Sequence, residues 1–123
     1  MSAVGEFVFI DYKLEEEDCL RKIPSESVDL VTMNQGLHHL PQGRLHIFLA
    51  EIRRILRTEG IFIVREHDAT PEIIPMLDLA HSVFNAVNGV SAREERREIR
   101  AFRPILEWRQ IIEAAGFVDS MLY

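Results

Sequence analysis

A strand, helix, strand pattern in the middle of the sequence constrains this chain more than any other feature. Residues 28–33 form a short β-like run, and residues 61–64 form a second run that is apolar throughout, as in a buried strand. The segment between them, from about Gly43 to Arg57, repeats apolar residues at helical spacing: Leu45, Phe48, Leu49, Ile52, Ile55 and Leu56. Such a crossover makes its two strands parallel neighbours, so the pattern predicts an α/β fold. Gly60 is expected to end the helix.

The flanking segments extend the same pattern. Residues 7–10 predict an earlier strand, and residues 117–123 predict a last one. Pro104 and Gly116 bound a predicted helix that turns Trp108 inward. A further helix is predicted after Thr70 and Pro71, with its regular part beginning only at Pro75, where the backbone N–H is missing. Its apolar stripe consists of Ile73, Leu77, Ala80, Phe84 and Val87.

Composition narrows the class of protein. The chain has 123 residues, 47% of them hydrophobic, and no internal linker, so a single domain over residues 1–123 is expected. A net charge of −6 repels polyanions, so neither nucleic acid nor a membrane surface is indicated as a partner. No apolar run approaches the roughly 20 residues of a membrane-spanning helix. The lone Cys19 excludes an internal disulfide, and a cytoplasmic location is expected.

The candidate site follows from the parallel pairing of the two central strands. Their carboxyl ends lie at one edge of the sheet, where ligands bind in open α/β folds. The residues at that edge are Asn34, Gln35, Gly36, Leu37 and His38 after the first strand, and Glu66, His67 and Asp68 after the second. We predict that His67 or His38 takes a proton near neutral pH, oriented by Asp68.

The histidines also raise the question of a metal site. His38 and His39 are consecutive, so their side chains diverge, and at least one of them is expected to pack or cap. The histidines at positions 38, 39, 46 and 67 show no paired-ligand spacing with a second cluster. The sequence therefore predicts no metal.

Three segments together resemble a known family. Residues 23–31, 36–40 and 49–63 are similar to the part of the class I S-adenosylmethionine-dependent methyltransferases that follows the glycine-rich loop, of the methyltransferase type 11-like kind. Residues 108–117 resemble a later segment of the same family. The similarity spans about residues 7–117.

The resemblance implies a fold, a cofactor and roles for named residues. The fold is a partial Rossmann-like, doubly wound sheet, containing strands three to six of seven in the order 3-2-1-4-5-7-6. The cofactor is S-adenosylmethionine, and residues 71–88 would help to cover the substrate. The methionine part of S-adenosylmethionine would lie beside Asn34, Gln35, Gly36 and Leu37, and its adenine would lie near Asp11 and Tyr12. The substrate would face His38, His67 and Asp68.

One departure from the family pattern concerns the cofactor. The family binds S-adenosylmethionine through a glycine-rich turn after its first strand, and this sequence contains no G-x-G pair. The chain is thus expected to be a fragment of a longer enzyme, a shortened protein completed by a partner chain or upstream segment, or an inactive remnant. Alone, it is expected to bind S-adenosylmethionine weakly or not at all.

Three functional hypotheses follow. The first is methyl transfer to an unidentified acceptor by the carboxyl-terminal part of a methyltransferase domain. The second is a non-catalytic methyltransferase-like interaction module that pairs with a complete subunit. The third is half of a nucleotide-binding oxidoreductase, which shares the layered architecture.

Overall fold

The computed structural model describes residues 20–121. The predicted strand at residues 7–10 and the residues Asp11, Tyr12 and Cys19 lie outside this range. The described elements, in chain order, are β1 (Val28–Asn34), a 3-10 turn (Leu37–His39), α1 (Gln42–Ile55), β2 (Leu56–Arg65), α2 (Ile74–Val87), α3 (Ala92–Glu95) and α4 (Ile105–Ala114).

The predicted strand, helix, strand unit is confirmed. β1 and β2 pair in parallel, with Val31 opposite Phe62 and Asn34 opposite Arg65. Within residues 20–121 the sheet consists of these two strands. The architecture is therefore α/β with a small parallel sheet, as the periodicity predicted.

The boundary between α1 and β2 differs from the prediction. The helix ends at Ile55 and the strand begins at Leu56, whose backbone is extended, so Gly60 lies inside the strand and does not end the helix. The amides of Glu26 and Ser27 donate to the carbonyls of Arg54 and Ile55 at 3.0 and 2.9 Å. The last carbonyls of the helix are satisfied by the turn before β1, so no glycine cap is needed.

The core lies on one face of the sheet, between β1 and β2 and the helices α1 and α4. Trp108 of α4 is 1% exposed, and Phe48 of α1 is half-buried. The fully or almost fully buried residues of α1 are Leu45, Leu49, Ile52 and Ile55. The predicted inward stripe of α1 is thus confirmed, with Phe48 at its margin.

The opposite face of the sheet is exposed. Leu30 is 52% exposed, and Ile61 and Ile63 are 60% and 50% exposed. Phe62 and Val64 pack against the core instead. The prediction that residues 61–64 are buried throughout is therefore wrong, because successive strand residues point to opposite faces and the described helices cover only one of them.

The helix α4 agrees with the prediction, but the segment after it does not. Pro104 precedes its first residue, Ile105, and Gly116 follows with a φ of +94°, where an added Cβ would come within 2.9 Å of the Arg53 guanidinium. Residues 117–121 form no strand. Asp119 accepts a hydrogen bond from the amide of Met121 at 2.8 Å, so a local turn replaces the predicted β-ladder.

The helix α2 turns its polar side inward and leaves the outer part of its predicted apolar stripe exposed. It begins at Ile74 with Pro75 in the first turn, close to the predicted start. Phe84 and Val87 are 67% and 81% exposed, whereas Asn85 is buried.

No helix within residues 20–121 has the length and apolar character needed to cross a membrane.

A hydrogen-bonded network explains the inward polar side of α2. The amide of Asn85 donates to Glu95 at 2.6 Å and to Glu98 at 2.8 Å. Arg100 donates to the same two carboxylates at 2.7 and 2.8 Å, and also to the hydroxyl of Ser82 at 3.1 Å. These contacts attach α2 to the segment that follows it.

This network predicts a loss of stability in acid. Hydrogen bonds from Ser82 and Asn85, assisted by Arg100, lower the pKa of Glu95 from 4.5 to about 2. A carboxyl group whose pKa is lower in the folded state stabilises the protein above its ordinary pKa, and this contribution is lost as the pH falls to the folded value. Glu95→Gln should therefore unfold more easily than the wild type at pH 7 but similarly near pH 2, as measured by urea denaturation. Glu59→Gln, at an exposed position of β2, is the control, and a pH-independent difference for Glu95→Gln would contradict the prediction.

Candidate functional site

The carboxyl ends of β1 and β2 form the predicted edge. The amide of Gln35 donates to the carbonyl of Arg65 at 2.6 Å, and Gln35 has a φ of +50°, which turns the chain away from the strand. Asn34 and Gln35 are exposed, whereas Gly36 and Leu37 are buried. At this edge the carboxamide side chains of Asn34 and Gln35 are therefore accessible to solvent, and the turn that follows them at Gly36 and Leu37 is not.

Glu66 joins the two strand ends. Its Oε1 accepts from the amide of Leu37 and its Oε2 from Nδ1 of His38, both at 2.7 Å. The side chains of Glu66 and His38 are both fully buried. Burial would raise the pKa of Glu66, but the hydrogen bonds from His38 and Leu37 outweigh it, so the net pKa is lowered. The site therefore contains a buried carboxylate.

Three histidines converge beside this carboxylate. Nε2 of His38 lies 3.2 Å from Nε2 of His81, and Nδ1 of His81 lies 3.0 Å from the carbonyl oxygen of Leu77. The ring of His67 is centred 5.4 Å from that of His38 and 5.7 Å from that of His81. One nitrogen of each ring falls within 4.8 Å of the others. The fold thus brings together imidazoles from three separate segments.

Phe102 closes this histidine cluster of His38, His67 and His81 on one side. Its ring is centred between 4.9 and 5.6 Å from all three imidazoles. The amide of Ala101 donates to the carbonyl of His38 at 2.8 Å, which holds the segment in place. The cluster is therefore partly shielded from water by an aromatic ring.

The half-buried His67 is suited to accept a proton. Burial lowers the pKa of His67, and the neighbouring His38 and His81 lower it further. A histidine with a pKa below its usual value is neutral at pH 7 and carries a free electron pair on one ring nitrogen.

Asp68 lies apart from this cluster. Its Oδ1 accepts from the amide of Ile105 at 2.9 Å, at the start of α4. A carboxylate in that position stabilises the amino-terminal end of a helix. The role of Asp68 in orienting His67 remains a prediction, as do the assigned roles of the other site residues.

Sequence reasoning missed His81 and Phe102. The predicted apolar stripe of α2 does not include His81, and no role was predicted for this residue. One signal was available, since His81 and Asn85 are four residues apart and share a helix face. No comparable signal identified Phe102, which lies in an irregular segment.

Comparison with known families agrees with the α/β fold. The family model described as "Methyltransferase domain" matches residues 3–64, half of the 123-residue chain. The chain therefore belongs to this family and is a class I S-adenosylmethionine-dependent methyltransferase-like domain, as the sequence resemblance indicated. Members of the family generally use S-adenosylmethionine as methyl donor. No curated protein matches the chain. The matched segment includes β1, α1 and most of β2, whereas His67, His81 and Phe102 lie beyond it.

Proposed function

We propose that this chain transfers a methyl group from S-adenosylmethionine to a nucleophilic acceptor, as part of a methyltransferase domain. One observation carries the proposal beyond family membership. Exposed carboxamides at Asn34 and Gln35 follow one of the two paired strands, and a half-buried imidazole at His67 follows the other, at the same edge of the sheet. The two carboxamides suit a polar cofactor, and the imidazole suits an acceptor that must lose a proton.

The residues after β1 fit one end of the cofactor. The side chains of Asn34 and Gln35 both donate and accept hydrogen bonds, which suits the amino and carboxylate groups of the methionine part. The amide of Leu37 is already bonded to Glu66, so it is not counted among the ligand's donors. Asp11 and Tyr12 are proposed to hold the adenine.

The chemistry requires alignment more than acid or base strength. When bound, S-adenosylmethionine supplies an electrophilic methyl carbon, whose bond to sulfur breaks with its electron pair on sulfur as the acceptor's electron pair attacks. The chain holds the reactants in line and excludes water. We propose that His67 accepts the acceptor's proton and that His38, enclosed between Glu66 and His81, is a positioning residue.

Substitutions at the carboxamides test cofactor binding. In the full-length encoded protein, Asn34→Ala and Gln35→Ala should each weaken S-adenosylmethionine binding about tenfold or more, because a hydrogen bond to a charged group contributes about 1.5–3 kcal/mol. Isothermal titration calorimetry measures this affinity. Gln110→Ala, at an exposed position of α4, is the matched control. If all three variants bind S-adenosylmethionine with the affinity of the wild type, the carboxamides do not belong to the cofactor site.

A second candidate function is favoured by the outer face of α2. Met76, Leu79, Val83 and Phe84 on this helix are between 54% and 67% exposed, an unusual cluster of large apolar side chains on one surface. Such a face suits the alternative hypothesis, a non-catalytic module that pairs with a complete methyltransferase subunit. Absence of S-adenosylmethionine binding by the encoded protein, together with a stable complex with such a subunit, would favour this alternative.

A further inference from the structure

The hydrogen-bond donors and acceptors around the contact between His38 and His81 do not match when both imidazoles are neutral. Nδ1 of His38 faces a carboxylate oxygen of Glu66, and Nδ1 of His81 faces the carbonyl oxygen of Leu77. Both oxygens are acceptors, so both Nδ1 atoms carry hydrogen. In neutral imidazoles, the two Nε2 atoms would then face each other at 3.2 Å with an electron pair on each. This contact is stable only with a positive charge between them, either a proton or a metal cation.

The surroundings of the two imidazoles match those of metal ligands. A histidine that binds a metal through one nitrogen usually donates the other ring N–H to a carboxylate or a backbone carbonyl, which holds the ring in place. His38 donates to the carboxylate of Glu66, and His81 donates to the carbonyl of Leu77. Both Nε2 atoms are therefore held in the orientation that ligands require.

The distances also suit a metal cation. Zinc–nitrogen bonds are about 2.0–2.1 Å long. For two nitrogens 3.2 Å apart, the N–Zn–N angle would therefore be roughly 100°, near the tetrahedral angle. A shared proton would engage only two nitrogens, whereas His67 brings a third within 4.8 Å of the others. Three histidines with one position left open form a common arrangement for catalytic zinc.

We propose that His38, His67 and His81 form a binding site for a divalent transition-metal cation, with Zn²⁺ as its best-fitting occupant. Imidazole ligands favour zinc and its transition-metal neighbours over Mg²⁺ and Ca²⁺, which prefer oxygen. The buried carboxylate of Glu66 compensates part of the charge of the cation without binding it directly. Phe102 shields one side of the site, and the cation keeps a position for water or an acceptor atom.

This inference concerns the same part of the molecule as the proposed function but does not depend on methyl transfer. Metal binding is measured with no cofactor or acceptor present, so its failure and the failure of the proposed function are separate results. With a cation bound, His67 would serve as a ligand, and the cation would take over the activation of the acceptor.

Titration of the metal-stripped protein with Zn²⁺ tests the site. The encoded protein, dialysed against a chelator, should bind one Zn²⁺ per chain in calorimetry. His81→Ala and His67→Ala should each weaken binding at least tenfold. His46→Ala, which removes an exposed histidine of α1, should bind as the wild type does. Co²⁺ provides a second readout, since a site with nitrogen ligands gives it visible absorption bands that His81→Ala should lose.

Further variants keep the test decisive if one of these fails to fold. Circular dichroism checks folding, and His81→Cys, which retains a metal ligand, should restore Zn²⁺ binding lost in His81→Ala. Glu66→Gln should weaken binding about 10- to 100-fold through its contact with His38. Absence of Zn²⁺ and Co²⁺ binding by the wild type would overturn the proposal. Equal affinity in the wild type, His81→Ala and His67→Ala would overturn it as well.

Discussion

Replacing Trp108 with alanine is expected to lower the free energy of unfolding by about 3–5 kcal/mol, the usual cost of removing a large buried aromatic side chain. Trp108 is 1% exposed and belongs to the core cluster with Leu49 and Ile52 of α1. Few surrounding groups can move into the space that the indole leaves, because α1 and the sheet already pack against each other. Urea denaturation measures the loss.

The same helix provides the matched control for Trp108. Leu106 also lies on α4 but is 66% exposed, so Leu106→Ala should change the stability by only about 0.5 kcal/mol or less. Similar losses for the two variants would mean that α4 does not pack on the sheet as described. The half-buried Phe48 should fall between them when it is replaced by alanine.

Replacing His67 with alanine is expected to lower methyl transfer about 100-fold or more, while the affinity for S-adenosylmethionine changes little. General base catalysis contributes about 10²–10⁴-fold to a rate, and His67 is proposed to act on the acceptor and not on the cofactor. The measurement uses isotopically labelled S-adenosylmethionine with a panel of thiol, phenol, carboxylic acid and amine acceptors, alongside calorimetry for cofactor affinity.

Four outcomes decide the role of His67. His46→Ala should retain full activity, because His46 is exposed on α1. A parallel loss of cofactor affinity in His67→Ala would assign His67 to the cofactor instead. Activity of His67→Ala equal to that of the wild type would make the residue structural. Loss of wild-type activity on metal removal would indicate that His67 acts as a metal ligand and not as a free base.

The central unit of the fold was predictable because its signals are local. Apolar spacing in α1 and the short runs of β1 and β2 depend only on neighbouring residues, and a crossover between two such strands has few possible arrangements. The same argument assigned Asn34, His38 and His67 to one edge of the sheet. Helix ends were less predictable, since α1 ends where Glu26 and Ser27 satisfy its carbonyls, and these residues are far from Ile55 in sequence.

The orientation of α2 was not predictable from its own sequence. Its apolar stripe and its polar face are both well formed, and the periodicity alone does not tell which of them turns inward. The choice depends on Glu95, Glu98 and Arg100, which follow the helix and bind Ser82 and Asn85. Once these bonds form, His81 is brought to the site from 43 residues away along the chain from His38.

The sequence by itself therefore determined the α/β class, the parallel pairing of β1 and β2, and the polar edge with its resemblance to a methyltransferase domain. These features rest on periodicities of two and 3.6 residues and on short motifs, which act within one segment. Only the tertiary structure decided that His38, His67 and His81 share one cluster around the buried carboxylate of Glu66. Ring nitrogens a few ångströms apart depend on the packing of three segments, and no spacing along the chain encodes that distance.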